Sequence, residues 1–285
     1  MELRAFFVRM THRILPPMID SPYLVHPGKK LKLSEHPTDD TGKFKDKKAA
    51  AEPTADNLKK LDKLQEILYA QGKYAVLVVF QAMDGGGKDG AIDHVFSGVN
   101  PQGCQVTSFK APTQKELSHD YLWRIHAATP AKGMIGIFNR SHYESVLVER
   151  VKGLVPEDVW KRRYDHINDF ERLLSDEGTT IIKFFLHISW DEQKRRMEKR
   201  LADPTKNWKF SPDDLKERAR WHDYMKAYHD ALENCSTKYA PWYVVPADHK
   251  WYRNWVVSHT LVKTLQKLDL RYPPPLKNAD KFKVV

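Results

Sequence analysis

Between Tyr74 and Val99 the chain runs from a short continuous apolar segment, Tyr74 to Phe80, through Gln81-Ala82-Met83-Asp84-Gly85-Gly86-Gly87-Lys88-Asp89-Gly90 into a stretch with Ile92, Val95, Phe96 and Val99 on one helical face. An unbroken run of branched apolar residues reads as a strand covered on both faces, the kind found in parallel α/β sheets. Consecutive glycines let backbone N–H groups converge on phosphate oxygens, and the following helix places about half a positive charge at its N-terminus. Lys88 adds a full charge on a mobile stem. Asp-Gly and Gly-Gly also form plain surface turns, but the strand-loop-helix setting favours a phosphate loop.

The match to G-x-x-x-x-G-K-[ST] is partial. Gly87 and Lys88 fit, whereas Ala82 replaces the first glycine and Asp89 replaces the hydroxyl that holds magnesium. Asp84 is therefore the expected magnesium ligand, since a carboxylate suits that hard cation.

Further apolar runs at Met134 to Phe138, Ile181 to Ile188 and Trp242 to Val245 alternate with helical stretches, which predicts right-handed βαβ units. Leu58, Leu61, Leu64 and Leu68 predict a helix ending near Gly72. Two more helices are expected, over Pro156 to Ser175 and over Pro212 to Glu233, the second behind the capping residue Ser211. Residues 1–56, broken by Pro16, Pro17, Pro22, Pro27, Pro37 and Pro53, read as an extended arm, packed on the chain's own surface or wrapped around a partner. Residues 57–275 are then the main domain and 276–285 a tail.

With 285 residues and 41% hydrophobic content, the chain has enough apolar material for one sizeable core. The net charge of +10 would attract any polyanion without choosing among them. Cys104 and Cys235 stand far apart, outside any metal-binding spacing, and point to a reducing cytoplasm. No apolar run approaches the length of a membrane span, and Arg4, Arg9 and Arg13 interrupt any signal-peptide core.

Two other segments carry chemistry. The run Met134 to Phe138 delivers Asn139-Arg140-Ser141-His142-Tyr143-Glu144 to the carboxyl edge of the sheet, where ligands of open α/β sheets bind. Arg140 offers a planar fork for phosphate oxygens there, with a structural ion pair as the alternative. From Lys194 to Arg220 there are 10 Lys or Arg against 5 Asp or Glu, half the net charge of the chain. Arg200, Lys206 and Lys209 are the strongest candidates in that stretch to close over phosphates, a solvated helix pair being the plainer reading. Trp251 and Trp255 read as helix packing and Arg253 as a phosphate or nucleotide contact.

Met83 to Gly90 and Phe138 to Glu144, with Trp208-Lys209-Phe210-Ser211, Pro246-Ala247-Asp248 and Trp251-Tyr252-Arg253-Asn254, closely resemble the polyphosphate kinase 2 family over roughly residues 57–275. The resemblance implies an α/β, P-loop kinase-like three-layer fold with a mainly parallel central sheet and a helical lid at about 194–220. It implies a magnesium-dependent transfer of a terminal phosphoryl group between inorganic polyphosphate and nucleotides, and the Ser-His-Tyr-Glu form of the second motif is similar to the branch acting on both nucleoside mono- and diphosphates. Asp84, Lys88, Arg140 and Arg200 would be catalytic. Met83, Gly85, Gly86, Gly87, Asp89, Gly90, Asn139, Ser141, Tyr143, Glu144, Lys206, Lys209 and Arg253 would bind phosphate or nucleotide, and Asp84 and Asn139 would hold Mg2+. Asn139 stands where many members carry Asp, which removes a negative charge from the expected metal site. The implied partners are polyphosphate, adenine or guanine nucleotides and further copies of the chain as a dimer or tetramer, with neither nucleic acid nor membrane. An ATP-using nucleoside monophosphate kinase shares the loop, the basic lid and the sheet edge, and a non-enzymatic polyanion binder needs only the basic surface.

Overall fold

The structure, a computed structural model, describes residues 18–282. In chain order its elements are α1 (Lys47–Gln71), β1 (Ala75–Gln81), α2 (Lys88–Phe96), β2 (Cys104–Ser108), α3 (Gln114–Leu117), α4 (Trp123–Ala127), β3 (Ile135–Asn139), α5 (Val148–Val151), α6 (Glu157–Asp176), β4 (Thr179–His187), α7 (Trp190–Ala202), α8 (Pro212–Ala219), α9 (Trp221–Cys235), β5 (Trp242–Pro246) and α10 (Lys250–Lys267).

The five strands form one sheet in the order β2-β3-β1-β4-β5, every pairing parallel. Every residue of β1 and β4 is buried, as continuous apolar runs require at the centre of a sheet covered on both faces. Helices α1, α2 and α10 pack together as one group, while α6 packs on β4 and joins α5 and α9 in another. The α/β, P-loop-like layered architecture expected from the sequence is the one observed. Because β1 pairs directly with β3, with Phe80 opposite Asn139, the segments leaving these two strands emerge side by side at the carboxyl edge. That adjacency brings Asp84 to Lys88 next to Asn139 to Glu144.

Strand β2 has no counterpart in the sequence reading. It is an edge strand whose Gln105, Val106 and Ser108 are exposed, so it needs no apolar run.

The helix expected over Pro212 to Glu233 is two helices. Ser211 caps α8 in a capping box with Asp214, and the chain then breaks at Arg220, where φ −93° and ψ 19° leave helical geometry before α9 begins.

Helix α1 starts ten residues before the boundary expected at 57, with Asp46 Oδ1 accepting from the Ala49 amide at 2.8 Å. Pro53 lies inside it. The first 17 residues of the expected arm lie outside the described residues. Those from 18 to 46 pack on the chain's own core: Leu24 bridges antiparallel to Tyr243, and Ile19, Tyr23, Val25, Leu31, Leu33 and Phe44 are buried. The arm thereby covers the open edge of β5, which would otherwise present unpaired backbone. Among the described residues, no helix is long and apolar enough to cross a membrane.

Candidate active site

The loop after β1 is held in shape by its glycines and by two arginines, Arg253 buried and Arg196 half-buried. Gly87 has φ +92°, and a Cβ there would meet Arg253 Nη1 at 2.3 Å; a Cβ on Gly86 would meet the Ala82 methyl at 2.5 Å. The second contact explains why a small residue precedes the glycines. Arg253 Nη1 donates to the Gly87 carbonyl at 3.0 Å, and Arg196 Nη1 donates to the carbonyls of Gly85 and Gly86 at 3.1 and 3.0 Å. With these carbonyls engaged, the amides of Gly85 and Gly87 find no protein acceptor among the described residues. They are available to an anion at the N-terminus of α2.

Lys88 opens α2 and is only 8% exposed. Its Nζ donates to the Ala82 carbonyl at 3.0 Å. Burial lowers its pKa, opposed by Asp84. A buried ammonium with one acceptor has two N–H groups left over, a costly arrangement unless an anion takes them.

Across the loop, Arg140 follows β3 with φ +63°, a left-handed conformation unusual for a residue with a side chain. The bend directs Nη2 to Asp84 Oδ1 at 3.1 Å. Asn139 Nδ2 donates to Asp89 Oδ1 at 2.7 Å. Glu144 lines the cleft beside Arg140 and Asp84. Burial raises its pKa, opposed by Arg140 and Lys88.

Some expected contacts lie elsewhere. Arg253 is 2% exposed and sits on the carbonyl side of the loop, its Nε and Nη2 donating to Asn254 Oδ1, so in this structure its guanidinium is engaged by the protein itself. Tyr143 is buried away from the cleft: its hydroxyl donates to Glu171 Oε1 at 2.9 Å and accepts from Lys183 Nζ at 2.7 Å. Ser141 caps the short helical turn that carries Tyr143 and Glu144, accepting from the Tyr143 amide at 3.2 Å. It orients the segment from a buried position.

The basic stretch forms α7, a turn and α8. Arg200 reaches Asp214 at 3.6 Å, Lys206 pairs with Asp203 at 2.7 Å, and Lys209 lies over the exposed Trp208 ring at 5.1 Å. None of the three touches the glycine loop in this conformation.

The cleft wall includes residues the sequence reading did not select: Gln193, Glu217, Tyr224 and Tyr228 beside Met83, Asp84 and Arg140. Tyr224 and Tyr228 are spaced like ordinary helix-core aromatics. The polar Gln193 and Arg196 share a face of α7 with buried Met197, and that misplaced polarity was the available signal.

The donor set suits one kind of metal site. No group of three or more His, Cys, Asp or Glu able to hold an ion occurs among the described residues. Asp84 lines the cleft with one carboxylate, and Asn139, the other expected ligand, is bound through Nδ2 to Asp89. Magnesium commonly binds through one or two carboxylates plus substrate phosphates, so these residues fit a Mg2+ ion carried in with a phosphate chain.

Comparison with known proteins gives consistent matches. The sequence model of the family described as Polyphosphate kinase 2 (PPK2) matches residues 43–273. An AMP/ADP-polyphosphate phosphotransferase of Meiothermus ruber is 56% identical, covering 91% of this chain and 98% of that protein. An ADP-polyphosphate phosphotransferase of Rhodopseudomonas palustris is 45% identical over 88% of this chain and 91% of its own length. The crystal structure of Polyphosphate Kinase 2 from Arthrobacter aurescens TC1 superposes with a TM-score of 0.86 at 44% identity, covering 92% of each chain.

Proposed function

Since this chain belongs to the polyphosphate kinase 2 family, we propose that its glycine loop, Lys88 and Arg140 carry phosphoryl transfer between inorganic polyphosphate and the nucleotides AMP and ADP. The observation that carries this reading is the buried Lys88 ammonium beside unengaged loop amides, with the Arg140 and Asp84 pair facing it across the cleft. The 56%-identical relative named for both AMP and ADP supports the dual acceptor.

Phosphoryl transfer asks a protein chiefly to align donor and acceptor oxygens and to neutralise charge on the transferred group. The loop amides and Lys88 hold the phosphate chain, and Arg140 faces the group in transit. Asp84, together with Asn139, would hold Mg2+, which would supply charge neutralisation on the phosphate oxygens. One phosphoanhydride is exchanged for another, so concentrations set the direction. The α7–α8 hairpin acts as the lid, bringing Arg200, Lys206 and Lys209 over the polymer. Guanine nucleotides as further acceptors, a cytoplasmic location, assembly of like chains and the absence of nucleic acid or membrane partners belong to the same reading.

The test is ADP formation from AMP with polyphosphate as sole phosphoryl donor, using Lys88→Ala as the blank. Turnover by the wild-type chain that vanishes in the variant supports the proposal. Turnover with ATP but not polyphosphate refutes it.

A further inference from the structure

Gln193 joins the lid to the loop. Its side chain is 1% exposed, and both ends of its amide are engaged by different parts of the molecule. Nε2 donates to the backbone carbonyl of Asp84 at 2.8 Å, and Oε1 accepts from Arg218 Nη1 at 2.6 Å. Arg218 lies on α8 and is fixed in place: Nη1 also donates to the Trp190 carbonyl at 2.9 Å, and the guanidinium lies 3.4 Å from the centre of the Trp190 ring. A continuous path of hydrogen bonds thus runs from α8, through the first turn of α7, to the peptide of the residue that presents its carboxylate to Arg140.

We infer that Gln193 and Arg218 form a relay that couples the position of helix α8 to the geometry of Asp84 in the phosphate loop. This deepens the reading of the site given above and rests on it. The amide is suited to the task because it donates at one end and accepts at the other, so a shift of Arg218 changes the partner available to Gln193 and hence the bond on Asp84. When α8 is in place, Arg218 holds Oε1 and turns Nε2 towards the loop. When α8 moves away, the amide can rotate and release the Asp84 carbonyl. Neither residue contacts the reacting atoms; both are positioning residues.

A double-mutant cycle with an exchange readout tests this. Gln193→Met and Arg218→Met keep much of the side-chain length and remove the hydrogen bonds. Each single change is expected to lower kcat with polyphosphate about tenfold and to raise the magnesium concentration needed for half-saturation, and the double change should cost the same roughly tenfold, far short of the hundredfold product. The second readout needs no turnover: exchange of the Gly86 amide, which donates to the Met83 carbonyl at 2.9 Å, followed by hydrogen exchange in the free protein. Both single variants should quicken it with the melting temperature little changed. Gln193→Glu keeps an acceptor for Arg218 and loses the donor to Asp84, so it should quicken Gly86 exchange while leaving α8 exchange as in wild type.

Multiplicative losses in kcat, or Gly86 exchange in Arg218→Met equal to wild type, would overturn the relay. If the melting temperature of a Met variant collapses, Gln193→Glu decides alone: unchanged Gly86 exchange overturns the relay, and faster exchange confined to the loop supports it. Absence of wild-type turnover with polyphosphate would instead defeat the functional reading, leaving the exchange experiment to judge the relay separately.

Discussion

Arg253 donates to the carbonyl oxygen of Gly87 at 3.0 Å from the interior side of the glycine loop, while Arg196 engages the two preceding carbonyls. The glycines make the loop possible; the two guanidiniums select one shape of it. They also place two positive charges behind the amides proposed to receive phosphate. Arg196 further binds the carbonyls of Ala247 and Asp248, tying the segment after β5 to the loop.

Replacement of Arg253 should therefore act through the loop's shape. Arg253→Lys keeps the charge but cannot hold Gly87 and Asn254 together, so kcat should fall on the order of 10²-fold, and the melting temperature should drop as well. Lys88→Ala should lose a similar factor with its melting temperature retained. Steady-state kinetics and thermal melts on both variants check the contrast.

Gly86→Ala should abolish most activity at little cost in stability. The new methyl collides with Ala82 and with the Met83 carbonyl, 2.5 and 2.8 Å away, and the loop must shift outward into the phosphate site. Asp84, Gly85 and Gly87 are half-buried and free to move outward with the displaced backbone, so the strands beneath keep their packing. An apparent KM for polyphosphate raised well above wild type, with an unchanged melting curve, is the expected result.

Lys183, buried in the middle of β4, is bound to Glu171, Tyr143 and the Cys235 carbonyl. Glu171 also contacts His142 Nε2 at 3.1 Å, and Lys183 and His142 together outweigh the burial that would raise its pKa, leaving it below the usual carboxylate value. Lys183→Met strands part of that negative charge and should cost roughly 3–5 kcal/mol, measured by chemical denaturation. Lys183→Met with Glu171→Leu should recover a large part of the loss.

His187 ends β4 with Nδ1 on the His36 carbonyl at 3.1 Å. Burial pushes its pKa from the ordinary 6.5 down to about 4, the His36 hydrogen bond and nearby Asp248 opposing it. Between these values the unfolded chain takes up a proton that the folded chain refuses, so stability falls as pH drops through this window and levels off below it. The full effect is about 3 kcal/mol as an upper figure. His187→Gln should flatten the wild-type decline between pH 6.5 and 4, seen as a smaller difference in denaturation midpoint across that range.

The central strands and the glycine turn after β1 were legible in the sequence because their signals are local: β1 is buried on both faces, and Gly85 and Gly87 take φ +78° and +92°. What escaped depends on the third dimension. β2 is half exposed at a sheet edge, so nothing in its composition marks it. Arg253 was expected to contact phosphate or nucleotide because it follows a strand at the functional edge, and its place on α10 puts it under the loop, on the Gly87 carbonyl. Tyr143 shares a motif with Glu144, and its hydroxyl is claimed by a lysine 40 residues further along the chain. Gln193 bears no motif and matters only because α7 carries it to the Asp84 carbonyl.

The most direct measurement is a crystal structure of the chain soaked with a short polyphosphate and magnesium. The account predicts phosphate oxygens on the amides of Gly85 and Gly87, Lys88 Nζ within hydrogen-bonding distance of them, and Asp84 facing the metal. Polymer seated in another cleft, with the glycine loop unchanged and Lys88 still bound only to the Ala82 carbonyl, would contradict it.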